Sequence, residues 1–570
     1  MFGKNLILST GITLIFLLSF IALPSNAMDA DNDGMEDGNE INLAEKYAPI
    51  LYFEKHEQLF PVEVEYHISN SNLNRSTKDG EVIIDPNPTP EKLGKYKDVR
   101  KNYSLDNRKG GIYDDRIIED YREKMDLLGY TVYAHIFMNG NRTIIQYWMF
   151  YAFNKGTLNN HEGDWEMVQV VLDSSGIPLH AMYSQHISGQ KAKWKDVEKD
   201  GEHMKVYVAR GSHANYFRYF QGLMGLARDR VGKNGRILKP GDYKLIFLGE
   251  KGDGNHNASQ NWIGFAGRWG EFGEIGNELR GERGPYGPAY RENGDMWYGM
   301  EWGYSLPSIH KGMLIFEWFV YHFVFLYSIL FLVSLGIVVF AIYRRHKKYG
   351  IKKPFSPLLD INGINAGSIS AIIAMIALIL AVLSLFYPWY GVFAEVRGEN
   401  EMDMTKIISI DGIHGIEINM LKANEGMTQI GALPIPFSIM IGVSIVLFVL
   451  GTIGLEKKKV WRKYLWRGMK FIIPVVLIIL SLFLIQMIAL RLGEVRGTEN
   501  AGELMKNIVS HPLKGESTFM VEDYGEVNAK WGLETGAYFL LMAGILIIIA
   551  GMMEYVAGEE KYFSRKNLKE

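Results

Sequence analysis

Five apolar stretches in the second half of this chain decide most of what it can fold into. They run at about 314–343, 368–391, 435–455, 471–491 and 536–556, and about 20 consecutive apolar residues suffice to cross a bilayer. The basic runs beside them set an orientation. Tyr343-Arg344-Arg345-His346-Lys347-Lys348 follows the first stretch, Lys457-Lys458-Lys459, Arg462-Lys463 and Arg467 separate the third from the fourth, and Lys561, Arg565, Lys566 and Lys569 close the chain. Positive charge stays on the cytoplasmic side, so 28–312, 392–434 and 492–535 are expected outside. The expected cell-membrane topology has five spans, an outer start and a cytoplasmic tail at 557–570.

Residues 1–27 fit the same topology. An apolar run from Leu6 to Leu23 is followed by Pro24-Ser25-Asn26-Ala27, with small residues before a cut after Ala27, which is a signal-peptide pattern. An uncleaved anchor would place residues 28–312 on the same side. The sequons at Asn74, Asn102, Asn141 and Asn257 all fall in the expected outer region. The membrane half also echoes itself: Glu395-Val396-Arg397-Gly398-Glu399-Asn400 returns as Glu494-Val495-Arg496-Gly497-Thr498-Glu499-Asn500. Two related hairpins, 368–455 and 471–556, come after the first span at 313–343.

Composition removes several classes. The formal net charge is −3, with no basic face of the kind nucleic acid requires. There is no Cys, hence no disulfide and no thiolate metal site. The outer region must then be held by its core, by metal ions, or by both.

A metal site is legible at its start. Asp29-Ala30-Asp31-Asn32-Asp33-Gly34-Met35-Glu36-Asp37-Gly38-Asn39-Glu40 has the spacing of an EF-hand-like calcium loop over 28–42. Asp29, Asp31, Asp33, Asp37 and Glu40 offer side-chain oxygens, Met35 its carbonyl, and Gly34 permits the sharp turn. Ca²⁺ at 29–40, with a helix over 41–47 behind it, is the expectation. An acidic N-terminal segment without an ion is the simpler reading.

From Asn141 onward strands dominate. In the run His161 to Leu172, Asp164 and Glu166 face one side of a strand and Trp165 the other, while His161 precedes the flexible Gly163. Two more segments, Ala181 to His186 and Val206 to Asn215, read as strands that end in a polar turn with one histidine. If the strand ends meet, His161, Asp164, Glu166, His186 and His213 surround a second divalent cation. Nitrogen and carboxylate donors without sulfur leave open which ion it is. The alternative is a buried hydrogen-bonded network that orders the core.

These motifs carry a resemblance. His161-Glu162-Gly163-Asp164-Trp165-Glu166, Ser184-Gln185-His186 and Ala209-Arg210-Gly211-Ser212-His213-Ala214-Asn215 resemble the vacuolar protein sorting-associated protein 62 family. So do the opening Leu43 to Phe53, Phe60-Pro61, Gly267-Arg268-Trp269-Gly270 and Gly284-Pro285-Tyr286-Gly287-Pro288, so the resemblance covers about 43–300. The central run is also similar to the H-R-H-D-W-E region of necrosis- and ethylene-inducing toxin-like proteins, β-sandwiches that bind a divalent cation and engage membrane sphingolipid. Glu162 and Gly163 replace the Arg and second His of that pattern, so toxin activity does not carry over. The resemblance implies a β-sandwich over 43–312 with a cation near Asp164, Glu166 and His161. The expected fold class is a mainly β outer domain followed by an all-α region of five transmembrane helices.

Three functions are compatible with these readings. The first is a membrane-anchored, extracytoplasmic, cation-binding module that recognises a lipid, glycan or protein, with no nucleic-acid partner. The aromatic, Gly-rich stretch Trp262 to Tyr304 supplies either contact loops or packing. The second is a metal-dependent hydrolase with Glu166 or His213 as general base, although no H-E-x-x-H or G-x-S-x-G is present. The third is a structural or transport role for the membrane half. Its apolar interiors speak against transport, since Glu317, His322 and Arg491 sit near the ends of their spans.

Overall fold

The computed structural model describes residues 37–567 apart from 78–79, 157–159, 187, 221–222, 225–228, 250–257, 272–283, 300–308, 310–311, 313, 316–317, 319–321, 350–360, 362, 398–401, 423–425, 434–436, 454–459, 493–498 and 522–524. The expected signal peptide and calcium-loop residues Asp29, Asp31, Asp33 and Met35 lie outside the described residues. A helix begins at Asp37 and runs to Tyr47, so Asp37 and Glu40 are already helical.

The first half is built on strands. In chain order they are β1 (Ile50–Phe53), β2 (Ser71–Thr77), β3 (Gly80–Asp85), β4 (Tyr103–Asn107), β5 (Thr131–Asn139), β6 (Arg142–Lys155), β7 (Asn160–Leu172) and β8 (Pro178–Gln185). Next come β9 (Ser188–Lys193), β10 (Lys199–Asp200), β11 (His203–Val208), β12 (Asn215–Tyr216), β13 (Leu223–Met224), β14 (Asp229–Arg230), β15 (Ile237–Leu238) and β16 (Lys244–Phe247). The main sheet has the order β16-β5-β6-β7-β8-β9 and is antiparallel except for β16 beside β5. A second sheet, β10-β11-β1-β15 with β12 on β11, packs on it, and β3-β2-β4 forms a third. Tyr183 of β8 ties the first two layers: its ring stacks on Phe217 at 3.8 Å and its hydroxyl donates to the Lys205 carbonyl at 3.1 Å.

β6 and β7 are buried on both faces almost throughout, which is why β6 and the second half of β7 are near-continuously apolar rather than alternating, while the first half of β7 buries charged side chains. One face meets the second sheet. The other is covered by tryptophans from the Gly-rich stretch: Trp262 stacks on Trp165 at 5.5 Å, Trp269 meets Phe150 at 5.2 Å, and Trp297 lies 6.2 Å from Trp148. Trp262, Trp269 and Trp297 are buried, so these side chains pack the core and are not ligand-contact loops. Each such ring contributes on the order of 2–3 kcal/mol.

The second half differs from the expected all-α region in two ways. Three helices among the described residues are long and apolar enough to cross a membrane: Phe325–Lys348, Ala366–Phe386 and Thr535–Val556. The other two expected spans are helical too, but Phe437–Thr452 is only 16 residues long, and Val460–Leu492 has Arg462, Lys463, Arg467 and Lys470 in its first turns. The second difference is a sheet where loops were expected. β17 (Pro388–Arg397), β18 (Met402–Asp411), β19 (Gly415–Lys422), β20 (Gly426–Leu433), β21 (Lys514–Val521) and β22 (Gly525–Leu533) pair in the order β20-β19-β18-β17-β22-β21. Pro388 opens β17, which ends the second apolar helix earlier than the 391 expected. The two expected hairpins thus contribute to one ladder, with Tyr390 to Val396 opposite Leu533 to Val527. The second copy of the echo falls mostly outside the described residues.

Small residues set the spacing of the apolar helices. Ala374, Ala377 and Ala381 are buried with Ala537, Ala543 and Ala550, and the Ser370 hydroxyl donates to the Ala550 carbonyl at 2.8 Å. In the first half, Gly163 and Gly211 combine a positive φ with a main-chain carbonyl where a Cβ would lie. Gly163 has φ +56°, and a Cβ there would run into the Trp269 carbonyl. Gly163→Ala is therefore expected to lower stability by about 2 kcal/mol or more, read as a drop in the denaturant midpoint of the first-half transition.

Candidate functional site

The positive φ of Gly163 also breaks the alternation of β7. His161 and Asp164 reach one cluster, with His161 Nε2 at 4.0 Å from Asp164 Oδ1, while Glu162 turns to another. Imidazole Nδ1–H of His161 donates to the Gly163 carbonyl at 2.8 Å, and Nε2 accepts from Asn154 Nδ2 at 2.9 Å.

His213 enters from the turn after β11, itself at φ 53°. Its Nδ1 hydrogen bonds to Asp164 Oδ2 at 2.9 Å, and its ring lies flat on Tyr151, 3.8 Å between centroids. Nε2 is buried with no hydrogen-bond partner among the described residues, and Glu57 Oε1 is 4.0 Å away. Glu57 was not visible as a site residue in the sequence. It is fixed by main-chain donors: Gly211 N–H to Oε2 at 2.7 Å, and Gln58 and Leu59 N–H to Oε1 at 2.8 and 3.0 Å.

Glu166 continues the cluster along β7. It accepts the Ser184 hydroxyl, which in turn accepts from Met167 N–H at 2.9 Å and from Asn215 Nδ2 at 3.3 Å. The Asn215 carbonyl oxygen is buried without a partner among the described residues. His186 stands at the margin: its Nε2 pairs with Asp229 Oδ2 at 2.7 Å, and Asp229 also accepts from Ser212 Oγ at 2.8 Å and Tyr216 OH at 2.7 Å. The structure thus gathers His161, Asp164, Glu166 and His213, adds Glu57, and gives His186 a carboxylate partner of its own.

Electrostatics divides the acids. Burial alone would raise Asp164, but the His213 hydrogen bond and the charge of His161 outweigh it and hold its carboxyl below the usual range. Burial and the neighbouring Asp164 push Glu166 up to about 8. Burial opposes charge on His186, yet Asp229 raises it to about 9. Asp164 and Glu166 are neighbouring buried carboxylates, and His213 Nε2 and the Asn215 carbonyl oxygen lack partners among the described residues; these are donor types that divalent cations accept. The Asp164–His213 contact is the carboxylate–imidazole arrangement that orients a metal-binding histidine.

Among the described residues, the sets that bring three ligand atoms within 4.8 Å of one another are Asp411, His414 and Glu417, and Asp106, Glu162 and Glu271; the histidine cluster is wider than that. In the first, Asp411 is already engaged by the N–H groups of Ile413 and His414 and by the His414 ring. Of the sequons, Asn74 is buried, its amide donating to Asp106 and Glu81 at 3.0 and 3.2 Å, so a glycan there is incompatible with the fold.

The shifts on Glu166 and His186 have the same sign. A group whose folded pKa is raised gives stability that is full below its unfolded pKa and is lost as pH rises through the folded value. In chelator, thermal stability of the first half is expected to fall from about pH 5 to pH 9. Glu166→Gln should flatten that slope, and Asp164→Asn should flatten it in part by removing the charge that helps to raise Glu166; an unchanged slope in Glu166→Gln would remove Glu166 as its source.

Comparison with known proteins places the same motifs in a family. Residues 21–272 match the family model described as vacuolar protein sorting-associated protein 62, which starts before the expected 43 and leaves Gly284 to Pro288 outside. No curated protein matches the chain. Similar solved structures include NLPPya in complex with glucosamine, 15% identical, with 45% of this chain and 87% of that chain covered and a TM-score of 0.23. Necrosis and Ethylene inducing Protein 2 from the causal agent of cocoa's Witches Broom disease is 16% identical over 39% of this chain and 78% of that one, with a TM-score of 0.21. Ahead of its apolar helices, the chain thus matches the vacuolar protein sorting-associated protein 62 family model over residues 21–272, a little under half its length.

Proposed function

We propose that the chain is a membrane-held recognition module whose first-half domain binds a divalent cation among Asp164, Glu166, His213 and Glu57 and presents it to a polar ligand; His161, expected as a ligand, has both ring nitrogens engaged by Asn154 and the Gly163 carbonyl and orders the cluster instead. The carrying observation is the position of Glu57. It faces the unpartnered Nε2 of His213 on one side and lines an open groove of about 980 Å³ on the other. That groove mixes Glu54, Glu119 and Glu123 with Lys55, Arg122 and Arg236, a lining suited to a glycan, a zwitterionic lipid head group or a polar protein segment. The bound cation would neutralise Asp164 and Glu166 and fix the groove wall through Glu57.

In this reading the apolar helices hold the domain at a membrane, and the basic runs support an outer position for it and for the β17–β22 sheet. The calcium loop at 29–40 belongs to the same reading as a second ion at the head of the domain. Metal-dependent hydrolysis is the second reading. An imidazole held by Asp164 with its other nitrogen unpartnered is how a general base is oriented.

The test uses the full chain in nanodiscs. Asp164→Asn and Glu57→Gln should each lose one metal equivalent by elemental analysis. They should also lose cation-dependent binding to a panel of glycans and lipid head groups, about tenfold or more. Retained metal in both variants would sink the cation site. Turnover of ester or glycoside substrates that follows the metal would favour the hydrolase. Topology is checked separately, and the absence of native Cys helps. An impermeant maleimide should label Asn141→Cys in intact cells and leave Ser564→Cys unlabelled.

A further inference from the structure

The second acidic set lies apart from the histidine cluster and joins three segments distant in sequence. Asp106 comes from β4, Glu162 from β7, and Glu271 from the segment just after Trp269. One oxygen from each lies within 4.8 Å of the others. Glu162 is fully buried. Its Oε2 accepts from Asn107 N–H at 2.9 Å, while Oε1 is enclosed with no hydrogen-bond partner among the described residues. A buried carboxylate oxygen without a donor costs several kcal/mol unless something positive meets it.

The surroundings supply no such charge. Glu271 is acted on by Asp106, Glu81 and Asp114, all of one sign, and no ion pair links Asp106, Glu162 or Glu271 to a base among the described residues. Among the described residues, the side-chain donor to Asp106 is the neutral amide of Asn74. The backbone leaves room at this point, because Gly111 sits against Glu271 where a Cβ would lie 2.8 Å from its Oε1.

We propose that Asp106, Glu162 and Glu271 form a binding site for a hard divalent cation of the Ca²⁺ type, separate from the histidine cluster. The donors are all oxygen, which selects against soft metals, and their spread is one that metal–oxygen bonds of about 2.4 Å can bridge. The ion clips the segment carrying Trp269 to β4 and β7. That segment supplies the ring that closes over Phe150 and the carbonyl that Gly163 approaches. The site therefore locks the cover of the aromatic core, a role distinct from presenting a ligand.

The experiment is calcium binding by flow dialysis to the full chain in nanodiscs, with melting followed in Ca²⁺ and in chelator. Glu271→Gln and Glu162→Gln should each remove one Ca²⁺ equivalent and most of the Ca²⁺-dependent rise in melting temperature. In chelator, Glu271→Gln should melt higher than the parent, because it relieves like-charge repulsion. Asp164→Asn should leave this equivalent in place, so a failure at the histidine cluster and a failure here read out separately. Glu271 is only half-buried, so its variant decides the matter if Glu162→Gln does not fold. Unchanged Ca²⁺ stoichiometry in folded Glu271→Gln overturns the proposal. So does an equivalent lost from Asp164→Asn and Glu271→Gln alike.

Discussion

Everything in the first half answers to the burial of acids on one interior strand. β7 is covered on both faces, yet it carries His161, Glu162, Asp164 and Glu166 in six residues. Taking a carboxylate out of water costs several kcal/mol, recovered only by well-placed donors or opposite charge. Each acid therefore recruits an element from far along the chain. Asp164 fixes the turn that carries His213, Glu166 binds Ser184 on β8, and Glu162 takes the main-chain N–H of Asn107 at the end of β4. The layers meet where these side chains require them to.

Much of this was legible in the sequence, because it depends on local pattern. Strand alternation places Trp165 opposite Asp164 and Glu166, and the glycine after Glu162 signals the departure that lets His161 join Asp164. His213 is exposed to the same reasoning through its polar turn. Glu57 is not: it lies in a turn after β1 and is held by backbone N–H groups, which leave no residue signature. The Asp229 partner of His186 is equally hidden, on a strand of two residues.

Elsewhere the pattern misleads for physical reasons. Between 50 and 140 the strand order is unreadable partly because β3 exposes Val82 and Ile83, 55% and 56% accessible, on a sheet edge. Apolar side chains there do not mark a core. Trp262, Trp269 and Trp297 sit among glycines, the composition of a loop, yet the glycines allow the backbone close enough for the rings to cap β6 and β7. In the membrane half, hydropathy finds the helices but says nothing of the segments between them, where β17 to β22 form a ladder from two separate hairpins.

That shared ladder has a consequence for biosynthesis. β17 finds one neighbour at once in β18, but its other edge waits for β22. At ordinary translation rates of about 5–20 residues per second, the roughly 130 residues between them leave that edge open for about 6–25 seconds. During that interval one edge of β17 keeps its backbone groups unpaired. A ribosome that stalls between the hairpins would leave a species with a free strand edge, open to pairing with another nascent copy.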